Sequence, residues 1–215
     1  MISYSLSKEQ LDNLFKEIAK SLKKNLKGKK FSYELIIVGG ASILLNYSFR
    51  MSTVDIDCLD INDALMNEIV NEVTSKYQLP EGWINTDFVK TSSYTPKLIQ
   101  YSTFYKSYAN NTLIVRTVKD EYLVAMKMVA ARKYKHDYSD IYGIIKENNT
   151  LSFEMIITAI KNLYGKVDIV SKEMLEFVRR LFEANTIKYE DLEKAESEEK
   201  TIMLQEINKK CNLKN

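Results

Sequence analysis

The chain has 215 residues, which is enough for one α/β unit with a helical annex. Its net charge of +2 is too small to indicate nucleic-acid binding by charge alone. The two cysteines form no disulfide framework and do not have zinc-site spacing. A single histidine argues against multi-histidine metal sites. Oxygen ligands for Mg²⁺ or Mn²⁺ are the metal chemistry left open. We expect a cytoplasmic protein with no membrane span, because the N-terminus lacks a signal pattern and no apolar run reaches ~18 residues.

The first half of the chain predicts alternating helices and strands. A capping box formed by Ser7 and Gln10 begins the first helix, and Gly28 is its predicted stop. In chain order, the predicted elements are a helix over 8–27, a strand over 33–38, a helix over 41–47, a strand over 53–59, a helix opening at Asp63, and two strands over 97–105 and 112–118.

From Asp120 onward the strand pattern fades and helical periodicity dominates. Ser152 and Ser171 are predicted N-caps, Gly165 is a predicted stop, and the charge run over 190–200 is predicted to be a solvated helix face. The predicted helices lie over 120–134, 138–147, 153–164, 171–185 and 190–210. We therefore expect an α+β fold: a small mixed β-sheet core flanked by helices over 1–118, with a helical bundle over 119–215 packed on it.

The pair Asp55 and Asp57 is the first candidate for a functional site. Two acids at i and i+2 on a strand project from one face, while Ile56 between them would face the core. Their charges repel each other unless a cation lies nearby, so the pair predicts a Mg²⁺ or Mn²⁺ site. An exposed strand edge is the alternative explanation.

The glycine pair Gly39-Gly40 is the second candidate, since it follows a buried strand and opens a helix. Glycine lets backbone amides approach a phosphate closely, and a helix N-terminus favours negative charge. An ordinary tight turn would have the same sequence. The order of glycine pair, short helix, Arg50 and the Asp55/Asp57 strand is more specific than any one of these features.

The stretch VGGASILLNYSFRMSTVDID resembles the polymerase β-like nucleotidyltransferase superfamily, in which a Gly-Gly or Gly-Ser turn precedes Asp-x-Asp. The Arg-x-x-Thr-x-Asp-x-Asp form over 50–57 resembles the branch containing AbiEii-type toxins. The resemblance implies Mg²⁺-dependent transfer of a nucleoside monophosphate from an NTP to an acceptor. It implies that metal is held by Asp55 and Asp57, and that nucleotide is bound by Gly39, Gly40, Ser42 and Arg50.

The segment LVAMKMVAARKYKHDYSDI, over 123–141, resembles a second motif of this branch, with Lys127, Arg132, Asp137 and Asp140 at the matching positions. Burying an unpaired ammonium is costly, so Lys127 on an apolar helix either meets an anion or reaches solvent along its stem. Arg132 reaches the triphosphate or pairs with Asp137. The resemblance implies that Lys127 neutralises developing charge and that Asp140, or a metal-bound carboxylate, deprotonates the acceptor.

One departure from the superfamily pattern concerns the third metal-binding acid, which many members place on a later strand. The predicted strands between 97 and 118 contain no Asp or Glu, which leaves Asp140 or Asp87 for this role. The resemblance further implies tRNA or a protein as acceptor and a cognate antitoxin as partner. Two alternatives stay open: a degenerate nucleotide-binding or interaction module, and a non-catalytic nucleic-acid-binding protein.

Overall fold

The computed structural model describes residues 4–27, 31–59, 61, 63–183 and 187–212. The chain divides into two compact units, Met1–Lys119 and Asp120–Asn215. The first unit combines helices with a small mixed sheet and the second is helical, so the predicted α+β class is confirmed. The packing of the helical domain on the core stays a prediction.

The described elements of the first unit follow the predicted order, with differences between residues 53 and 105. They are α1 (Lys8–Asn25), β1 (Tyr33–Ile37), α2 (Gly39–Asn46), β2 (Ile56–Asp57), α3 (Ala64–Tyr77), β3 (Ile84–Asn85), β4 (Ser102–Tyr108) and β5 (Leu113–Val118), with 3₁₀ helices at Asp87–Lys90 and Pro96–Tyr101.

The predicted strand over 97–105 is wrong in its first half. Thr95 caps a 3₁₀ helix that has Pro96 in its first turn, and proline has no N–H to donate to a sheet. Sheet pairing therefore begins only at Ser102. The predicted strand over 53–59 shortens to Ile56–Asp57, with Thr53 and Cys58 in isolated bridges, and β3 was not predicted.

The sheet places the end of β1 beside β2. β1 pairs in parallel with β5, β5 pairs antiparallel with β4, and β2 pairs in parallel with β3. A bridge between Ile37 and Cys58 joins the two groups, and the Val38 N–H donates to the Asp57 carbonyl oxygen at 2.9 Å. The resulting spatial order is β3-β2-β1-β5-β4, so the glycine turn after β1 lies next to the carboxylate strand.

The core of the first unit is formed where α1 and the sheet bury their apolar sides.

The N-termini of α1 and α3 are capped by nearby side chains. The predicted capping box is present, since the Gln10 N–H donates to the Ser7 hydroxyl at 3.3 Å and the Ser7 N–H donates to the Gln10 side chain at 2.7 Å. Asp63 caps α3, and Trp83 is 1% exposed with its indole N–H donating to Thr74 at 2.8 Å. The predicted stop at Gly28 lies outside the described residues. Each buried Leu, Ile or Phe stabilises the unit by roughly 1.5–3 kcal/mol.

The second unit consists of five helices in its described part: α4 (Asp120–Ala130), α5 (Asp137–Glu147), α6 (Phe153–Tyr164), α7 (Lys172–Glu183) and α8 (Tyr189–Asn212). The Ser152 and Ser171 hydroxyls cap α6 and α7, and Gly165 ends α6 with a φ of +82°, so these predicted caps are confirmed. α4 is shorter than predicted, because Ala131 adopts a φ of +43°. None of the helices in the described ranges is both long and apolar enough to cross a membrane.

Candidate functional site

The glycine turn brings backbone and carboxylate close together at Gly39. This residue has a φ of +61°, a conformation that glycine adopts without the steric cost of a Cβ. A Cβ built there would lie 3.2 Å from the Asp57 Oδ2 atom. Val38, the N-cap of α2, has no polar side chain to cap the first amides of the helix. The turn therefore combines a helix N-terminus with an adjacent carboxylate.

Gly40 is the contact point for Arg50 and Thr53. A Cβ built on Gly40 would lie 2.7 Å from the Arg50 Nη2 atom, 2.9 Å from its Cζ atom and 3.3 Å from the Thr53 Oγ1 atom. The Arg50 Nε–H donates to the Ser52 carbonyl oxygen at 3.2 Å, which holds the side chain back along its own loop. The guanidinium thus lies directly against the second residue of α2, and any side chain at Gly40 would displace it.

Thr53 fixes the loop that carries Arg50. Its backbone forms a two-way bridge with Leu6, at 2.7 and 3.0 Å, and its hydroxyl donates to the Asp55 carbonyl oxygen at 3.0 Å. The Arg-x-x-Thr spacing therefore corresponds to two side chains that both meet Gly40. In the first unit the glycine turn therefore lies beside Arg50, Thr53 and the carboxylate of Asp57.

Asp55 and Asp57 are both half-buried, while Ile56 between them is fully buried, as the strand periodicity predicts. In the described part of the chain, no group of three or more His, Cys, Asp or Glu side chains is placed to hold a metal ion. The carboxylate pair nevertheless fits Mg²⁺, which is commonly held by one or two protein carboxylates together with substrate phosphates and water.

The predicted third acid stays a prediction for both candidates. Asp87 is exposed at the start of a 3₁₀ helix and pairs with Lys90 at 2.6 Å. Asp140 is buried in the second unit. Ser42, predicted to bind the triphosphate, is fully buried in α2, and its hydroxyl has no hydrogen-bond partner among the described residues. In this structure that hydroxyl does not reach the surface.

A second cluster of predicted residues lies within the second unit and centres on Lys127. Its side chain is 9% exposed, and its Nζ atom lies 3.0 Å from Asp137 Oδ1 and 2.7 Å from Asp140 Oδ2. The alternative that Lys127 reaches solvent along its stem is therefore wrong. The buried ammonium is thus paired with two buried carboxylates, as a charge removed from water requires.

Arg132 completes this cluster through Asp137. The left-handed residue Ala131 ends α4, so that the Arg132 N–H and Nε–H both donate to Asp137 Oδ2, at 3.0 and 2.9 Å. Its Nη2 donates to Oδ1 at 3.2 Å, so the ion pair considered for Arg132 is present. Burial raises the pKa of Asp137, but the charge of Lys127 and the hydrogen bonds and charge of Arg132 outweigh it and hold that pKa at about 2.

Glu196 is a member of the second unit that the sequence analysis missed. The charge run over 190–200 is exposed for the most part, as predicted, but Glu196 is only 5% exposed, so the prediction is wrong at this residue. Its carboxylate accepts hydrogen bonds from α5. The signal was its position: Tyr189, Leu192, Glu196 and Met203 share one face of α8 at helical spacing, and Glu196 is the charged member.

A protein-family model described as "Nucleotidyltransferase of unknown function (DUF6036)" matches residues 9–197. The matched span begins in α1 and ends in α8 one residue after Glu196, so it includes the glycine turn, the carboxylate pair and the Lys127 cluster. No curated protein and no solved structure matches the chain.

Proposed function

Since the chain belongs to this family of nucleotidyltransferases of unknown function, we propose that it transfers a nucleoside monophosphate from an NTP to an acceptor with Mg²⁺. The observation that carries the proposal is the grouping at the glycine turn. Gly39 lies against Asp57, and Gly40 lies against Arg50 and Thr53. A helix N-terminus, a guanidinium and two carboxylates are the groups that a metal-bound triphosphate requires.

In the proposed complex, the triphosphate lies along the glycine turn. The backbone at Gly39 and Gly40 approaches the phosphate oxygens, and Arg50 supplies donors that neutralise their charge. Asp55 and Asp57 would hold Mg²⁺, which would neutralise triphosphate charge when bound. An acceptor oxygen forms a bond to the α-phosphorus, the bond from that phosphorus to the bridging oxygen breaks, and pyrophosphate leaves.

The proposed roles of Lys127 and Asp140 rest on the sequence resemblance. Lys127 would offset charge that develops on the leaving pyrophosphate, and Asp140 would accept the proton of the acceptor hydroxyl. Asp137 pairs with both Lys127 and Arg132. It would therefore remain as a buried counter-charge for Lys127 while Asp140 takes the acceptor proton.

The proposed biological role is that of an AbiEii-type toxin with a cognate antitoxin, acting on tRNA or on a protein. The support is the Arg-x-x-Thr-x-Asp-x-Asp form, whose Arg50 and Thr53 are the two side chains that meet Gly40. The Arg-x-x-Thr part of the pattern therefore corresponds to two side-chain contacts at Gly40. The choice between the two acceptor classes is an outcome of the experiment below.

The test is incubation of the protein with each labelled NTP, Mg²⁺, and total RNA and protein extracts. We expect label in one acceptor fraction with the wild type and none with Asp55→Ala/Asp57→Ala. The matched control is Asp191→Ala/Glu193→Ala, which removes an exposed acid pair of the same spacing from α8 and should keep full activity.

Other outcomes would contradict transfer. Mg²⁺-dependent NTP binding with no labelled product in either fraction would indicate a nucleotide-binding module without turnover. Salt-dependent RNA binding that Asp55→Ala leaves unchanged would indicate a non-catalytic nucleic-acid-binding protein.

A further inference from the structure

The first turn of α5 lacks a cap from its own sequence. His136 is the N-cap residue, and its side chain makes no capping hydrogen bond. The amides of Tyr138 and Ser139 instead donate to Glu196 Oε1 at 2.9 and 3.1 Å, and the Ser139 hydroxyl donates to Oε2 at 2.6 Å. A carboxylate from α8, about sixty residues further along the chain, therefore caps this helix.

The same turn of α5 carries the counter-charges of Lys127. Asp137 and Asp140 flank the two capped residues in sequence, and both contact the Lys127 ammonium. The turn is thus held on one side by α4, through Lys127, and on the other by α8, through Glu196. All three carboxylates are buried, with exposures of 0% for Asp137, 1% for Asp140 and 5% for Glu196.

We propose that Glu196 is a positioning residue for Lys127. By capping α5, Glu196 keeps the Asp137 and Asp140 carboxylates in contact with the Lys127 ammonium. It thereby limits the exposure of the ammonium to solvent and maintains its ion pairs. The consequence for catalysis rests on the proposed function, whereas the consequence for Lys127 itself does not. The imidazole of His136 lies beside the same carboxylate, with its Nδ1 atom 3.6 Å from Glu196 Oε2.

The physical reason is the cost of uncapped amides. Without the carboxylate, the Ser139 amide and hydroxyl, which are buried, lose their acceptor, and the free N–H groups of a helix end favour fraying of the first turn. Fraying moves Asp137 and Asp140 together, because both belong to that turn. Lys127 would then gain solvent contact and reactivity.

The experiment measures acylation of Lys127 by N-hydroxysuccinimide acetate in the full chain without nucleotide, by peptide mass spectrometry. The exposed Lys133 of the same protein is the internal standard. We expect Glu196→Ala to raise Lys127 labelling by about tenfold, the scale of one charge-assisted hydrogen bond. Glu196→Gln, which keeps an acceptor oxygen at the same reach, should stay near the wild type. The control Glu193→Ala alters an exposed acid on the same helix and should change nothing.

Unchanged labelling of Lys127 in folded Glu196→Ala would overturn the proposal, and so would equal labelling in the Ala and Gln variants. Where circular dichroism shows that Glu196→Ala is unfolded, Glu196→Asp replaces it. This variant keeps the charge and shortens the reach, so wild-type labelling in it would also overturn the proposal.

Kinetics add a measurement that separates positioning from general destabilisation. With transferase activity established, Glu196→Ala should lower kcat about tenfold with little change in KM for the NTP, and Glu196→Gln should restore kcat. An increase in KM with unchanged kcat would contradict positioning of Lys127. If the wild type shows no transfer at all, the proposed function fails, while the labelling still decides the role of Glu196.

Discussion

Replacing Gly40 by alanine perturbs the glycine turn mainly at its contact with Arg50, since the second contact, to the Thr53 Oγ1 atom, is looser at 3.3 Å. Gly40 lies in α2 and is not among the residues with positive φ, so alanine fits its backbone conformation. The new Cβ would lie 2.7 Å from Arg50 Nη2 and 2.9 Å from its Cζ. Ordinary contact requires about 3.5 Å, so the guanidinium must move by about 1 Å. Because the guanidinium ends a flexible side chain, it can move without disturbing the sheet.

The stability and the affinity for nucleotide should therefore respond differently to Gly40→Ala. Where the native backbone suits alanine, replacing glycine stabilises a protein by about 0.4–1 kcal/mol through the lower entropy of the unfolded chain, so the free energy of unfolding should stay the same or rise. A misplaced guanidinium loses one charge-assisted hydrogen bond to the triphosphate, about 1.5–3 kcal/mol, which corresponds to a roughly 10- to 100-fold rise in Kd for Mg²⁺–NTP.

The assay combines urea unfolding with nucleotide titration for Gly40→Ala, Arg50→Ala and the double variant. The two changes act on one contact, so the double variant should bind no more weakly than Arg50→Ala. Gly39→Ala is the contrasting case: its φ of +61° should cost about 1–2 kcal/mol of stability. Wild-type affinity in Gly40→Ala, or additive losses in the double variant, would refute a role for Arg50 at this turn.

Two further predictions concern the buried charges. Lys127→Met leaves Asp137 with Arg132 alone and should destabilise the protein by about 3–5 kcal/mol in urea unfolding, whereas exposed Lys133→Met should have almost no effect; equal losses would contradict the burial argument. The folded-state pKa of Asp137 is lowered to about 2, so its stabilisation, about 2 kcal/mol, is present above the ordinary carboxyl pKa near 4 and is lost as the pH falls toward 2. Asp137→Asn should therefore flatten the pH dependence of stability in that window. Glu17, whose pKa is lowered to about 2 by hydrogen bonds from Lys20 and Lys76, should contribute separately, so Glu17→Gln is the comparison. If Asp137→Asn loses as much stability as the wild type when the pH falls from about 4 toward 2, this assignment is wrong.

Local sequence patterns were sufficient for the helix ends and for the order of the candidate site. The capping box at Ser7, the caps at Ser152 and Ser171 and the stop at Gly165 involve residues three or four apart, and the structure has each of them. The burial of Ile56 between two less buried acids follows from strand periodicity. These features depend on neighbours along the chain, which the sequence states directly.

Local patterns failed where a second element decided the outcome. The apolar residues near 97–101 are compatible with a strand, but Pro96 and the capping Thr95 favour a 3₁₀ helix, and pairing with β5 begins at Ser102. The charge run around Glu196 predicts an exposed side chain, although the environment of Glu196 is set by the end of another helix. In both cases the partner is distant in the chain, and the residues themselves do not indicate which backbone segment they will contact.

By itself, the sequence determined that a glycine turn precedes two carboxylates and that Lys127 lies on an apolar helix, because periodicity and order are one-dimensional properties. Only the tertiary structure decided that Arg50 and Thr53 fold back onto Gly40, that Lys127 lies between Asp137 and Asp140, and that Glu196 caps α5. These contacts join groups whose partners depend on how loops and helices pack. A buried charge must find an opposite charge or a donor, but physical chemistry states only that need, and the fold selects which residue meets it.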